Sequence, residues 1–505
     1  MSKKPKLLFW IDKGLIEFAI ANKLQHMLNY DGFAITDSNQ NFKNFFSSQK
    51  LVPFKKIWNY TDHIIKPVSL PDLIYLKKFE QKYSIDISKI IKSERFFYPG
   101  YNKYFKFTEN QILSIIEQEC KFFEKLLDEI KPDCVCFSII TRHHLLLLYE
   151  ICKSKGILTL TPEPTHFAHR WIVSNETDMM IDSEKYENFE SDSKLTFNDL
   201  QNILVKYKPL THGQYENTKH KPLLIDKIKS HFNFLFYSNE KFHFTTYGKT
   251  KLNILLKGTA TAHKLKLKLR ERFISSNFLT SIDDENFVYF PLAYEPEKRL
   301  LINNLEFADQ FLVIKNIVNS LPSGYTLYVK EHPAMIDFAW RPLLYYKKIL
   351  SLPNVKMIHP NVSTTKLIKQ CKLVITINGT AGLEAVFYNK PSINFSQKSG
   401  YSELPSVYTV KSFDELSNII KQSLKTKINL SDLNKYVDYF EKNAITFNQL
   451  EFTTELSAKF NYNLGILEKI KIEPNELEKF LGNYDEMFET MASKHIKKLN
   501  ENNIQ

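Results

Sequence analysis

A chain of 505 residues is too long for one compact core and suits two domains with additions. Hydrophobic residues at 43% and charged residues at 25% exclude wholesale disorder. The net charge is +12, and fifteen Lys or Arg against four acids between Lys206 and Arg272 supply +11 of it; no nucleic-acid motif surrounds that stretch, so nucleic acid is excluded as a partner.

No run of about 18 apolar residues is present, which excludes a spanning helix. The first residues are basic but turn polar at Asp12 and Lys13, without the apolar stretch of a signal peptide. The five cysteines are odd in number and show no ligand spacing with histidines, so no metal is predicted. These features place the protein in the reducing cytoplasm. The basic, aromatic-rich stretch 206–272 suits contact with an anionic membrane at the inner face, or a solvated helical face with lysine stems laid along it.

In chain order, residues 7–11 read as a first strand and 15–28 as a helix. Apolar residues recur at helical spacing over 107–130. Lys131-Pro-Asp133 breaks that helix, and a buried strand follows at 134–140. A helix over 144–155 stops at Gly156, and another strand takes 157–160. Strand, helix, glycine, strand is a βαβ unit, hence a parallel sheet. The stretch 191–285 lacks this rhythm and reads as a helical insert. Alternation returns with strands at 287–291, 325–330, 355–359, 373–377, 392–395 and 407–410, separated by helices at 307–320, 340–351, 364–371 and 381–388. A last helix takes 413–424. The predicted architecture is α/β, with two doubly wound Rossmann-like domains facing a cleft. These are an N-terminal domain at 1–190, the basic insert at 191–285, a C-terminal domain at 286–430 and a helical tail at 431–505 with a polar, frayed end. Ligands of such sheets bind beyond the carboxyl ends of the strands.

Three strand-end segments carry the chemistry. Lys330-Glu-His-Pro333 follows a strand, and the proline fixes the pose of His332, whose ring can donate a hydrogen bond to a phosphate. Asn378-Gly-Thr-Ala-Gly-Leu-Glu384 runs from a strand into a helix. Its glycines admit close backbone approach, and the helix start offers unpaired N–H groups to an anion. Thr380 adds a hydroxyl, and Glu384 lies one turn on, within reach of ribose. Glu295, in Leu292-Ala-Tyr-Glu-Pro-Glu297, is placed to meet a donor or a hinge. The Gly-rich segment is neither a Walker loop nor a dinucleotide fingerprint.

Together, Val288–Glu297, Tyr328–Pro333 and Ile375–Ala385 followed by Lys390-Pro391 resemble the bacterial capsule and surface-polysaccharide glycosyltransferases, a group that includes Kdo transferases using CMP-Kdo. The resemblance is specific over about residues 287–424. It implies a GT-B fold, a nucleotide-sugar donor and a glycan or glycolipid acceptor, with no cofactor. It implicates His332, Pro333, Gly379, Thr380 and Glu384 in donor binding, and Lys330 and Asn378 in the same segments join them as candidates. Ala293 and Glu295 stand where His and Gln are commoner. A sugar-nucleotide epimerase, a glycerophosphotransferase and a non-catalytic glycan- or membrane-binding protein are the alternatives.

A catalytic carboxylate is expected from the N-terminal domain, to act on the acceptor hydroxyl or on the sugar. Glu163, fixed between two prolines, and Asp12, after the first strand, are the candidates. Arg142, His166 and Arg170 are cations suited to an anionic sugar or acceptor.

Overall fold

The computed structural model describes residues 4–504, apart from 38–39, 65–69, 99–101, 103–104, 178, 180, 207–259, 296–297, 303, 333–334, 336–340, 398 and 461–471. Two sheets organise the described residues. The first runs β13-β6-β5-β4-β1-β2-β3, with β1 at Lys6–Ile11, β2 at Asp31–Thr36, β3 at Lys56–Asn59, β4 at Cys134–Cys136, β5 at Leu158–Pro164, β6 at Arg170–Ser174 and β13 at Ile445–Thr446. Strands β1 to β5 pair in parallel, while β6 and β13 add antiparallel edges. The second sheet, β12-β11-β10-β7-β8-β9, is parallel throughout. Its strands are β7 at Phe287–Pro291, β8 at Thr326–Lys330, β9 at Val355–Ile358, β10 at Leu373–Thr376, β11 at Ser392–Asn394 and β12 at Val407–Thr409. The α/β class and the doubly wound pair of sheets are as expected.

Alternation along β1 shows why it is central. Leu7, Phe9 and Ile11 enter one core, and Leu8 and Trp10 enter another on the opposite face, the signature of a strand covered on both sides. In the second sheet Val288 and Phe290 face one core, and Phe287 and Tyr289 the other. The helix Glu109–Ile130 begins with a capping box formed by Thr108 and Gln111, which satisfies two orphan donors at its start. Lys131, at φ 49°, ends it.

Three expectations need correction. Residues 137–140 are not strand, because β4 stops at Cys136 and its edge opens into the loop that leads to the helix His143–Ser154. The β5 strand runs on through Pro164 rather than ending at Leu160, because β6 returns antiparallel beside its last four residues. The chain's end is not frayed. The helix Asp485–Glu501 buries Phe488, Met491, Ala492 and Leu499 in the same core as Leu7 and Phe18, each large side chain contributing about 1.5–3 kcal/mol. The tail therefore returns to the first sheet, and β13 completes that sheet's edge. Most of the basic stretch lies outside the described residues; the helix Ala260–Asn277 carries its last part. No helix among the described residues is long and apolar enough to cross a membrane.

Candidate functional site

In the second sheet, β7 sits between β8 and β10, and the parallel register brings all three carboxyl ends to one edge. The chain leaves β10 for the adjacent helix Thr380–Phe387, so a cavity opens at the point where the strand order reverses. It measures about 500 Å³, within the range of small-molecule sites, and its wall includes Lys330, His332, Asn378, Gly379, Thr380 and Glu384. Six residues from two separate motifs thus converge on one space.

Each of these side chains is positioned by its neighbours. The Lys330 ammonium donates to the Val362 carbonyl at 2.6 Å and to Thr364 Oγ1 at 2.9 Å, which fixes a positive charge in the wall. His332 is half-buried, its ring edge-on to Tyr294 at 5.6 Å. Burial pulls its pKa below the usual value, despite the Glu331 charge, so the ring is neutral at pH 7 and offers one N–H. Glu331 is fully buried and accepts from Arg341, from the Tyr346 hydroxyl at 2.6 Å and from the His332 N–H at 2.7 Å. The helix Thr380–Phe387 starts at Gly379, with no side-chain cap. Asn378 is 5% exposed, and neither of its amide atoms has a hydrogen-bond partner among the described residues. Pro333 lies outside the described residues. Glu295 is not on the wall: it accepts from Gln310 and pairs with Arg341 at 3.3 Å, which ties it to the buried Glu331–Arg341 pair.

A second cavity, of about 480 Å³, opens at the carboxyl edge of the first sheet. Asp12 and Asp37 follow the adjacent strands β1 and β2, and Arg142 and His144 stand at the start of the helix after β4; all four line it, with Glu17, Pro162 and Trp171. The Asp12 carboxylate accepts from the Gly14 N–H at 2.7 Å. Burial raises its pKa, Gly14 opposes the rise, and Asp37 adds to it. Glu17, in the first turn of the helix Ile16–Met27, is 2% exposed. Burial first, and then the Asp12 charge, push its carboxyl well above the usual range. Asp12 and Arg142 were candidates from sequence; Glu17 and Asp37 were not. An acid in the first turn of the helix after a strand-end Asp is the signal that would have found Glu17.

Behind this wall lies a buried network. The His143 ring donates from Nδ1 to Glu94 at 2.7 Å and from Nε2 to Glu119 at 2.9 Å, and the Tyr60 hydroxyl also donates to Glu119. Burial pulls the His143 pKa down, but the Glu119 and Glu94 carboxylates outweigh it and push it up to about 9. Against its burial, His143 and Arg142 hold Glu94 well below the usual carboxylate range. Glu119, His143 and His144 bring ligand atoms within 4.8 Å of one another. Both His143 nitrogens already serve carboxylates, so the arrangement is that of an imidazolium between two acids. His144 stacks on Tyr60 at 4.5 Å and Trp10 at 5.2 Å, with Nε2 3.7 Å from Asp37.

The other candidates lie away from this cavity. Glu163 is buried inside β5, on the opposite face from Pro162, and accepts from Thr177 Oγ1 at 3.5 Å. It is a strand residue rather than a loop acid. Arg170 is 5% exposed and gives its guanidinium to Glu441 at 2.5 Å and to Thr446, which ties β6 to the returning tail. His166 reaches the other domain, where its Nε2 donates to the Asn378 carbonyl at 3.2 Å. The turn that carries it places Ala168 and His169 at φ 48° and 54°, a costly pair of left-handed residues. Pro162, on one cavity wall, is four positions from His166, at most about 14 Å along the chain, and His166 bonds to a residue on the other wall. The two cavities are neighbours across the cleft.

Residues 217–399 match the model of a family described as capsule polysaccharide biosynthesis protein. The match spans part of the chain. It holds every candidate residue of the C-terminal cavity, and the N-terminal candidates lie before it. No curated protein matches the chain. Among solved structures, the β-Kdo 2,7 transferase part of KpsC from Thermosulfurimonas dismutans is similar, at 11% identity and TM-score 0.30, over 67% of this chain and 89% of that one. The β-Kdo 2,4 transferase part follows at 14% and 0.29, over 60% and 79%. UDP-GlcNAc 2-epimerase from Methanocaldococcus jannaschii stands at 14% and 0.24, over 87% and 99%. Likeness this distant does not separate transferase from epimerase. The family-model match spans the His332 and Gly379 loops that share one cavity wall.

Proposed function

We propose that the protein is a glycosyltransferase of capsule or surface-polysaccharide synthesis, which takes a sugar from a nucleotide donor held in the C-terminal cavity. The observation that carries this reading is the convergence of Lys330, His332, Asn378, Gly379, Thr380 and Glu384 on one cavity inside the segment that the family model matches. The open helix start and the anchored Lys330 charge suit a phosphate, the neutral His332 donates to the leaving oxygen, and Glu384 is one turn along for ribose. An acidic sugar such as Kdo on CMP is the donor favoured by the resemblance of these loops. The acceptor is a growing glycan or its lipid-linked precursor, and the basic stretch 206–272 would hold the enzyme at an anionic membrane surface.

In the transfer, the acceptor oxygen bonds to the anomeric carbon. The bond from that carbon to the phosphate oxygen breaks, and its electron pair leaves with the nucleotide. The hydroxyl proton passes to the Asp12 carboxylate, which burial makes more basic than a free carboxylate. A thermal-shift screen of CMP, CDP, UDP and GDP tests the donor site: one nucleotide should raise Tm by mass action. His332→Ala should abolish transfer and weaken that nucleotide about tenfold, with the fold intact. Full activity in His332→Ala, or no stabilising nucleotide, would refute the reading. Turnover of donor without acceptor would point to an epimerase instead.

A further inference from the structure

The N-terminal cavity raises the question of what kind of acceptor it takes, an inference that rests on the transferase reading above. Its wall is acidic: Asp12, Glu17 and Asp37 all reach it. The Glu17 carboxyl is 2% exposed, and its Oε2 has no hydrogen-bond partner among the described residues. A buried carboxyl oxygen left without a partner is destabilising, and a ligand hydroxyl on the same wall would satisfy it. Trp171 contributes a ring that is 3% exposed, the apolar face that such a site presents beside its polar groups.

Two cations line this wall. Lys13 is exposed, where solvent screens its charge, and the Arg142 guanidinium is engaged with Glu94 at 3.2 Å and lies over the Phe96 ring at 4.6 Å. His166 and Arg170, the other cations suggested by the sequence, are committed to Asn378 and to Glu441. An acidic sugar here would meet the Asp12 and Asp37 side chains, acids of like charge, a juxtaposition that works against binding. We propose that this cavity holds the acceptor sugar, that it selects a neutral, hydroxyl-bearing residue over a uronic one, and that Glu17 orients it by a hydrogen bond to one of its hydroxyls.

The test uses the full chain and matched glycoside pairs: methyl glucoside, galactoside and mannoside, each against its 6-carboxylate. Binding is read by saturation-transfer NMR and titration at pH 7 in the presence of the stabilising nucleotide. The neutral member of at least one pair should bind about tenfold tighter than its uronate. Glu17→Leu should weaken that glycoside by about tenfold. Glu17→Gln, which keeps a side chain able to hydrogen-bond at the same place, should stay close to wild type, and all three proteins should bind nucleotide equally. Tighter uronate binding, no glycoside binding, or an unchanged affinity in Glu17→Leu would each overturn the proposal. The pairwise discrimination in wild type holds the proposal to account even if Glu17→Leu does not fold. A wild-type protein that binds no nucleotide would instead sink the transferase reading, so the two failures are distinct.

Discussion

The buried imidazolium makes a quantitative prediction about stability and pH. His143 sits between Glu94 and Glu119 at 2.7 and 2.9 Å, with a pKa of about 9 in the folded protein against about 6.5 in an unfolded chain. The folded state therefore holds a proton that the unfolded state releases between those values. The resulting stability is fully present below about pH 6.5 and is lost as pH rises through about 9. Linkage converts the gap to about 3 kcal/mol, at a slope approaching 1.4 kcal/mol per pH unit inside the window. The buried cysteines also lose stability above about pH 8.5, so the informative quantity is the difference between wild type and His143→Gln. Urea unfolding at pH 6.0, 7.5 and 9.0 should show a difference of several kcal/mol at the lowest pH, since one partner of a buried ion pair is gone. That difference should narrow by about 3 kcal/mol at the highest. A constant difference across the series would mean that His143 is neutral in the fold, and the assignment of an ion pair would be wrong.

At Gly382 an added Cβ would lie 2.6 Å from the Tyr401 hydroxyl and 2.9 Å from its ring. That ring is fully buried and its hydroxyl donates to the Gly379 carbonyl at 2.6 Å, so it cannot give way without moving the phosphate-facing helix start. Gly382→Ala should cost about 1–3 kcal/mol, lower Tm by roughly 2–10 °C and weaken nucleotide binding; a variant that matched wild type in calorimetry and in nucleotide titration would contradict the packing. For Asp12, activity should fall as pH drops through a pKa above the usual carboxylate value of about 4. Asp12→Asn should lose about 10²–10⁴ in kcat/KM, and an acid limb unchanged in that variant would remove Asp12 as the base.

The C-terminal site was legible because its signals are local. A strand, then Lys-Glu-His, and a strand, then Asn-Gly-Thr, sit in short loops of a βαβ repeat, and a parallel sheet brings such loops to one edge. Four strands, β2, β3, β6 and β13, were not anticipated. The short β3 and two-residue β13 carry too few residues to show a period, β2 opens on Asp31-Gly32, which reads as a turn, and the pairing of β6 with β13 joins segments distant in sequence. The N-terminal candidates were harder for the same reason. Proximity in sequence grouped Glu163, His166 and Arg170, but a strand that continues and then reverses sends them in three directions. Glu163 is buried beside Thr177, His166 reaches the other domain and Arg170 the tail. Glu17 went unnoticed because an acid in a first helical turn is ordinary on the surface, and only tertiary packing encloses it.

The return of the tail to the first sheet has a mechanical consequence. The polypeptide passes between the two halves twice, once after β6 and once before β13, so the halves are held by a pair of connections rather than by a single tether. Two attachment points permit opening and closing about the line between them and resist twisting. A chain cut before Leu430 would lose the second attachment and would also strip Phe452, Phe488 and Met491 from the first core. Such a fragment should fail to fold even though both cavity walls of its second half were kept whole.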